Sequence, residues 1–109
     1  NIPPQFSISY YDRVIKTLGG ADKVAAGYRL FMAPGMGVCG GGDGPDTFDA
    51  LGALQSWVEK KQSPDQIVAA HLTDGKTDRT RPLCPYPQVA KYKGSGSIDD
   101  AANFICRKP

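Results

Sequence analysis

Tyr10, Tyr11, Val14, Ile15 and Leu18 recur at helical spacing, while Asp12, Arg13 and Lys16 fall on the other faces. This period predicts an amphipathic helix from Ser7, capped by Ser7 or Ser9 and stopped by Gly19-Gly20. Ahead of it, Ile2-Pro3-Pro4 predicts an extended start, because proline disfavours helix at the residue before it. A second short helical turn is expected over Ala21 to Ala26, with Gly27 as its stop. The apolar run Tyr28-Arg29-Leu30-Phe31-Met32-Ala33, closed by Pro34, predicts a strand. A loop with six glycines between Gly35 and Gly44 follows. Phe48, Leu51, Leu54 and Val58 then form the apolar stripe of the clearest helix, with Trp57 beside it as an expected core residue. Asp46 is the expected cap, Asp49 sits in the first turn and Lys60-Lys61 in the last, as the helix dipole favours. Ile67 to His71 predicts a second short strand. Beyond it the pattern reads as loop through Thr73-Asp74-Gly75 and Arg81 to Pro87, with a turn at Gly94-Ser95-Gly96-Ser97 and a short terminal helix over Asp99 to Phe104.

Helix, strand, glycine loop, helix, strand and irregular tail make a piece of an α/β layered fold. Two strands are too few for a complete α/β domain, which needs a sheet covered on both faces. At 109 residues the chain has room for one ordinary domain at most. Thirteen basic against eleven acidic residues leave a charge of +2, without the concentrated basic face of a nucleic-acid binder. No run of 18 or more apolar residues is present to form a spanning helix. No Cys/His arrangement has zinc spacing and no calcium-loop motif occurs. Lys91, Lys93, Arg79 and Arg81 form a mildly basic stretch expected on a solvated face, and Tyr86, among prolines, is expected to pack. Three cysteines leave one thiol without a partner in its own chain. The chain starts at Asn1 with no signal-peptide pattern, so further sequence is expected upstream.

Gly35-Met36-Gly37-Val38-Cys39-Gly40 spells G-x-G-x-x-G after a predicted strand. A dinucleotide fingerprint needs its third glycine inside the following helix, with the backbone N–H groups facing the pyrophosphate. Here Gly41-Gly42-Asp43-Gly44-Pro45 intervenes, and Asp43 adds a negative charge near the supposed anion. A nucleotide-binding βα unit therefore ranks below a connector. The glycine density still points to close backbone approach.

Phe31-Met32-Ala33-Pro34-Gly35-Met36-Gly37, then Cys39-Gly40-Gly41-Gly42-Asp43-Gly44-Pro45-Asp46, resembles the tannase and feruloyl esterase family. Ile2-Pro3-Pro4 with Ser9-Tyr10-Tyr11-Asp12-Arg13-Val14 is similar to the segment after that family's catalytic aspartate. Phe48-Asp49-Ala50-Leu51 with Trp57-Val58-Glu59 is similar to the helix after its histidine loop. Arg79-Thr80-Arg81-Pro82-Leu83-Cys84-Pro85-Tyr86-Pro87, Tyr92-Lys93-Gly94-Ser95-Gly96 and Ala101-Ala102-Asn103-Phe104-Ile105-Cys106 are similar to its C-terminal end. The motifs are long, independent and in the family's order.

The resemblance implies that residues 1–109 are the C-terminal segment of an α/β-hydrolase catalytic domain, with the nucleophile region and the lid outside them. It implies a secreted serine hydrolase of phenolic acid esters, of ferulate or gallate type, working through a Ser-Asp-His triad. Serine attacks the carbonyl, histidine moves the proton and aspartate holds the imidazole in the useful tautomer. By the resemblance, Cys39 would bond to a cysteine beside the serine, joining the chain to the upstream polypeptide, its expected partner. Serine and aspartate would both lie before Asn1. The family's histidine position is held by Val38, which has no proton-accepting group and cannot act as general base. The chain alone is therefore expected to be inactive, and a non-catalytic homologue that lost its base is the alternative reading. His71, at a strand end far from the loop in sequence, is expected to be structural. Cys84 and Cys106, 22 residues apart, are expected to close the tail. No cofactor is expected in the chain, although the family's lid, where it carries one, holds calcium.

Overall fold

The structure, a computed structural model, describes residues 2–109. The chain divides into two compact units, Asn1–Leu30 and Phe31–Pro109.

In the first unit, helix α1 spans Gln5–Leu18 and therefore starts before Ser7. Pro4 stands at its N-cap with helical backbone angles, and no side chain caps the helix. Ser7 and Ser9 lie inside it, so their predicted capping role is not realised. Proline suits a helix start because its missing N–H would have no partner there. Gly19 ends α1 at φ +88°, its N–H returning to the Ile15 carbonyl, and helix α2 follows at Ala21–Ala25. Tyr11 is buried, donates its hydroxyl to the Tyr28 carbonyl at 3.0 Å, and meets the Tyr28 ring edge-on at 5.0 Å.

The strand expected over residues 28–33 does not form. Phe31 alone bridges to Pro85, and an imide with no N–H cannot extend a ladder. Helix α3 spans Ala50–Lys60, and its cap is Asp49, whose carboxylate accepts the Gly52 N–H at 2.8 Å. The expected cap, Asp46, is drawn elsewhere. Asp46 and Thr47 both donate their backbone N–H to the Ala70 carbonyl, at 3.1 and 3.0 Å, and the Thr47 carbonyl accepts the Ala70 N–H at 2.8 Å. Pairing with the following strand thus delays the helix to Ala50. Its sides are also the reverse of expectation. Gly52, Ala53, Ser56 and Trp57 are half-buried, whereas the stripe residues Leu51, Leu54 and Val58 are 65%, 54% and 72% exposed.

The tail is not irregular. Strand β1, Ile67–Thr73, pairs antiparallel with β2, Lys76–Leu83, from Thr73↔Lys76 to Ile67↔Leu83, with an irregularity between His71 and Leu72. Asp74 and Gly75 make the turn at φ +52° and +77°. Two left-handed residues match the twist of a tight hairpin, which is why Asp-Gly favours one. The charged sequence Lys-Thr-Asp-Arg-Thr-Arg hides β2 because its first half is exposed and its burial grows only toward Leu83. Strand β3, Val89–Tyr92, pairs antiparallel with β4, Phe104–Arg107. The expected terminal helix shrinks to a 3₁₀ turn at Ala101–Asn103, because Phe104 turns inward to begin β4. A disulfide between Cys84 and Cys106, with Cα atoms 5.5 Å apart, joins the two sheets. Ala69, Leu83, Cys84 and Phe104 form the small core of this unit. Arg81, expected in solvent, lies with its guanidinium 4.1 Å from the Phe104 ring centre and donates to the Ile98 carbonyl at 2.9 Å.

Candidate functional site around the glycine loop

The glycine loop folds on its own backbone. The Gly37 N–H donates to the Gly41 carbonyl at 2.8 Å, the Gly40 N–H returns weakly to the Gly37 carbonyl at 3.4 Å, and the Gly44 N–H donates to the Gly35 carbonyl at 3.0 Å. Val38 and Cys39 are the tip of this turn. Val38 is 76% exposed, and Cys39 is exposed with a free thiol and a left-handed φ of +66°. The close approach inferred from composition is real at Gly42 and Gly44. A Cβ on Gly42 would collide with the Gly35 carbonyl oxygen, and one on Gly44 with that of Pro34.

Asp46 clasps the tip. Its Oδ2 accepts the Gly41 N–H at 2.6 Å, and its Oδ1 accepts the Thr47 hydroxyl at 3.3 Å. The Gly41 bond, aided by the Thr47 hydroxyl and by His71, holds this carboxyl below its ordinary pKa against a smaller opposing effect of burial. The backbone of the same residue pairs with Ala70, so one aspartate connects the loop tip to β1. Sequence reasoning gave Asp46 a helix to cap and missed this role. The available signal was its position, just past Gly44-Pro45 at the end of a loop whose amides need acceptors. The arrangement also works against a nucleotide: a carboxylate of the chain already takes the Gly41 amide, and α3 begins only at Ala50.

His71 follows Ala70 on β1. Its Nδ1 lies 2.7 Å from Asp78 Oδ1 across the hairpin, and the Thr73 hydroxyl donates to Asp78 Oδ2 at 2.6 Å. First the Thr73 bond and then the histidine keep the Asp78 carboxyl below its ordinary pKa. Asp78 is the second functional-looking residue that the sequence concealed, since it lay in a presumed loop. The Cys84–Cys106 bond lies apart from this cluster in the covalent framework, tying the end of β2 to β4. A cavity of about 330 Å³ opens beside the far end of the loop, with Gly44 and Pro45 forming one wall and Met32, Leu83, Tyr86 and Val89 among the others. Among the described residues, no three His, Cys, Asp or Glu side chains are grouped to hold a metal ion, and no helix is long and apolar enough to cross a membrane.

By its likeness to solved esterase structures, the mixed helix and strand arrangement around the glycine loop is part of an α/β-hydrolase fold. Two solved structures carry the same arrangement. An esterase from Aspergillus oryzae superposes with a TM-score of 0.88 at 32% identity, over 97% of this chain and 25% of that one. Feruloyl esterase B from Aspergillus oryzae superposes with a TM-score of 0.85 at 28% identity, over 93% of this chain and 23% of that one. The family described as tannase and feruloyl esterase matches residues 1–107, and the chain belongs to it. Among curated relatives, the mono(2-hydroxyethyl) terephthalate hydrolase of Piscinibacter sakaiensis is 54% identical over 104 residues. A probable feruloyl esterase of Arthroderma benhamiae is 42% identical over 111 residues. These alignments take in 92% and 98% of this chain but only 17% and 20% of the relatives' lengths.

Proposed function

We propose that the chain is the C-terminal segment of the catalytic domain of a secreted serine carboxylic-ester hydrolase acting on aromatic acid esters. The family match across residues 1–107 carries this reading. The named relatives supply its substrate class: ferulate and terephthalate esters share an aromatic acyl group joined to an alkyl oxygen. The phenolic esters expected from the sequence fall within that class. In this reading the serine and the aspartate of the triad lie outside the chain, Val38 stands where the family's histidine would be, and Cys39 bonds to a cysteine beside that serine. The exposed, free thiol of Cys39, adjacent to position 38, suits such a bond. Calcium, if the whole protein uses it, belongs to the lid and not to these residues.

Val38 favours a second reading, a homologue that kept the fold and lost the chemistry. A valine leaves the serine hydroxyl protonated and poorly nucleophilic near neutral pH, which removes the general-base contribution of about 10²–10⁴-fold. The role of position 38, on which both readings turn, is tested in a chimera in which the chain replaces the matching C-terminal segment of the Piscinibacter sakaiensis hydrolase. The chimera with Val38 is expected to be inactive toward mono(2-hydroxyethyl) terephthalate. Val38→His is expected to raise turnover by at least about a hundredfold, with loss of activity after treatment with a serine-directed inhibitor. A folded chimera that gains nothing from Val38→His would refute the assignment of position 38 to the base.

A further inference from the structure

Arg79, Arg81 and Leu83 alternate along β2, and the strand period of two turns their side chains to one face. All three line the cavity of about 330 Å³ beside Gly44-Pro45, a volume at the lower end of the range of small-molecule sites. Its remaining surface is largely apolar and flat, with the rings of Pro34, Pro45, Pro82 and Tyr86 among its walls. Among the described residues, no acidic side chain lines it. Every lining residue belongs to the Phe31–Pro109 unit, so this chain builds the cavity by itself.

The two guanidinium groups differ in what already balances them. Arg79 has a carboxylate within reach: its Nε lies 3.7 Å from Asp99 Oδ1, and its Nη1 donates weakly to the Asp43 carbonyl at 3.4 Å. Arg81 is half-buried, and its guanidinium has only neutral partners, the Ile98 carbonyl at 2.9 Å and the Phe104 ring, whose centre is 4.1 Å away. Among the described residues no carboxylate pairs with it. Its Nε is shut off from solvent without an acceptor. A ring face offsets a cation only in part, and a cation withdrawn from water without a counter-charge is costly. One unbalanced guanidinium beside flat apolar walls matches a singly charged planar anion, and a carboxylate fits the guanidinium fork. We propose that this cavity binds a small aromatic carboxylate, its ring against the proline and tyrosine surfaces and its charge toward Arg81. The site needs no residue outside the chain, so it stands or falls apart from the hydrolase reading.

Titration of the isotope-labelled 109-residue chain with trans-cinnamate, followed by backbone amide shifts, tests the site. Saturable shifts are expected at Leu83, Val89 and Ala90, and cinnamamide, of the same shape but uncharged, is expected to bind at least about tenfold more weakly. Hexanoate, equally charged but not planar, and inorganic phosphate are also expected to bind more weakly by about that factor. Arg81→Gln is expected to abolish the preference for cinnamate over cinnamamide, and Arg81→Lys to retain part of it. Equal binding of cinnamate and cinnamamide by the unaltered chain would overturn the proposal with no variant needed. Equal binding of hexanoate or phosphate would overturn the choice of an aromatic carboxylate. Shifts confined to other residues, or a spectrum without the dispersion of a folded chain, would refute a site built from this chain alone. Phenylglyoxal modification of Arg79, located by peptide mapping, carries the test into the chimera. Cinnamate at about ten times its dissociation constant is expected to slow that modification about tenfold in both proteins. Protection in the chimera without cinnamate would mean that polypeptide fills the cavity, which also refutes the proposal.

Discussion

Gly41 and Gly42 are adjacent and both left-handed, at φ +73° and +92°, yet the structure predicts very different costs for replacing them by alanine. A Cβ on Gly41 meets nothing within 4 Å. Gly41→Ala therefore carries only the left-handed backbone penalty of an L-residue, about 1–2 kcal/mol. A Cβ on Gly42 would overlap the Gly35 carbonyl oxygen and lie 3.0 Å from the Gly37 nitrogen. Relief requires both groups to withdraw. Gly35 would then lose the Gly44 N–H, now at 3.0 Å, and Gly37 would lose its bond to the Gly41 carbonyl, now at 2.8 Å. At about 1 kcal/mol for each hydrogen bond, Gly42→Ala costs about 3–4 kcal/mol in all. With about 1.4 kcal/mol for each factor of ten, the excess over Gly41→Ala amounts to roughly thirtyfold in the opening equilibrium. Amide hydrogen exchange at Gly44 and Gly37 reads that equilibrium directly. Gly41→Ala is expected to speed exchange about tenfold, and Gly42→Ala by some hundreds-fold. Equal acceleration in the two variants would show that left-handed strain alone governs the loop and that the close approach contributes nothing.

Three further outcomes follow from the His71-Asp78-Thr73 cluster and the cysteines. Because the folded-state pKa of Asp78 is depressed, its contribution to stability is present above the unfolded carboxylate value of about 3.9 and is lost as pH falls through the folded value. Thr73→Val removes the largest cause, so the Asp78 titration, followed by carbonyl NMR, is expected to move up toward the ordinary value; an unchanged midpoint would contradict the assigned cause. Alkylation without reductant is expected to add one group to the chain, at Cys39, and three after reduction, read by intact mass. Paired Cys84→Ser and Cys106→Ser replacements are expected to lower stability by about 3 kcal/mol in the chain-entropy account of a 22-residue loop, measured by denaturant unfolding.

The local sequence determined what local physics controls. Helix α1 was legible from its apolar period and the glycine that ends it, α2 as a short turn before Gly27, and the pairing of Cys84 with Cys106 from their places on either side of the tail. The crowding of the glycine loop was also visible in its composition, since only residues without a Cβ fit where one backbone segment presses on another. Tertiary structure decided the rest, because the deciding partners are distant in the chain. Asp46 looked like a cap until Ala70 claimed its backbone and Gly41 its carboxylate. Lys76–Leu83 looked like a loop because its first half is charged and exposed, and only pairing with Ile67–Thr73 makes it a strand. The stripe of α3 shows the limit most clearly. A period of 3.6 reveals that one face is apolar, but it cannot say whether the fold turns that face inward, and here Leu51, Leu54 and Val58 stay exposed.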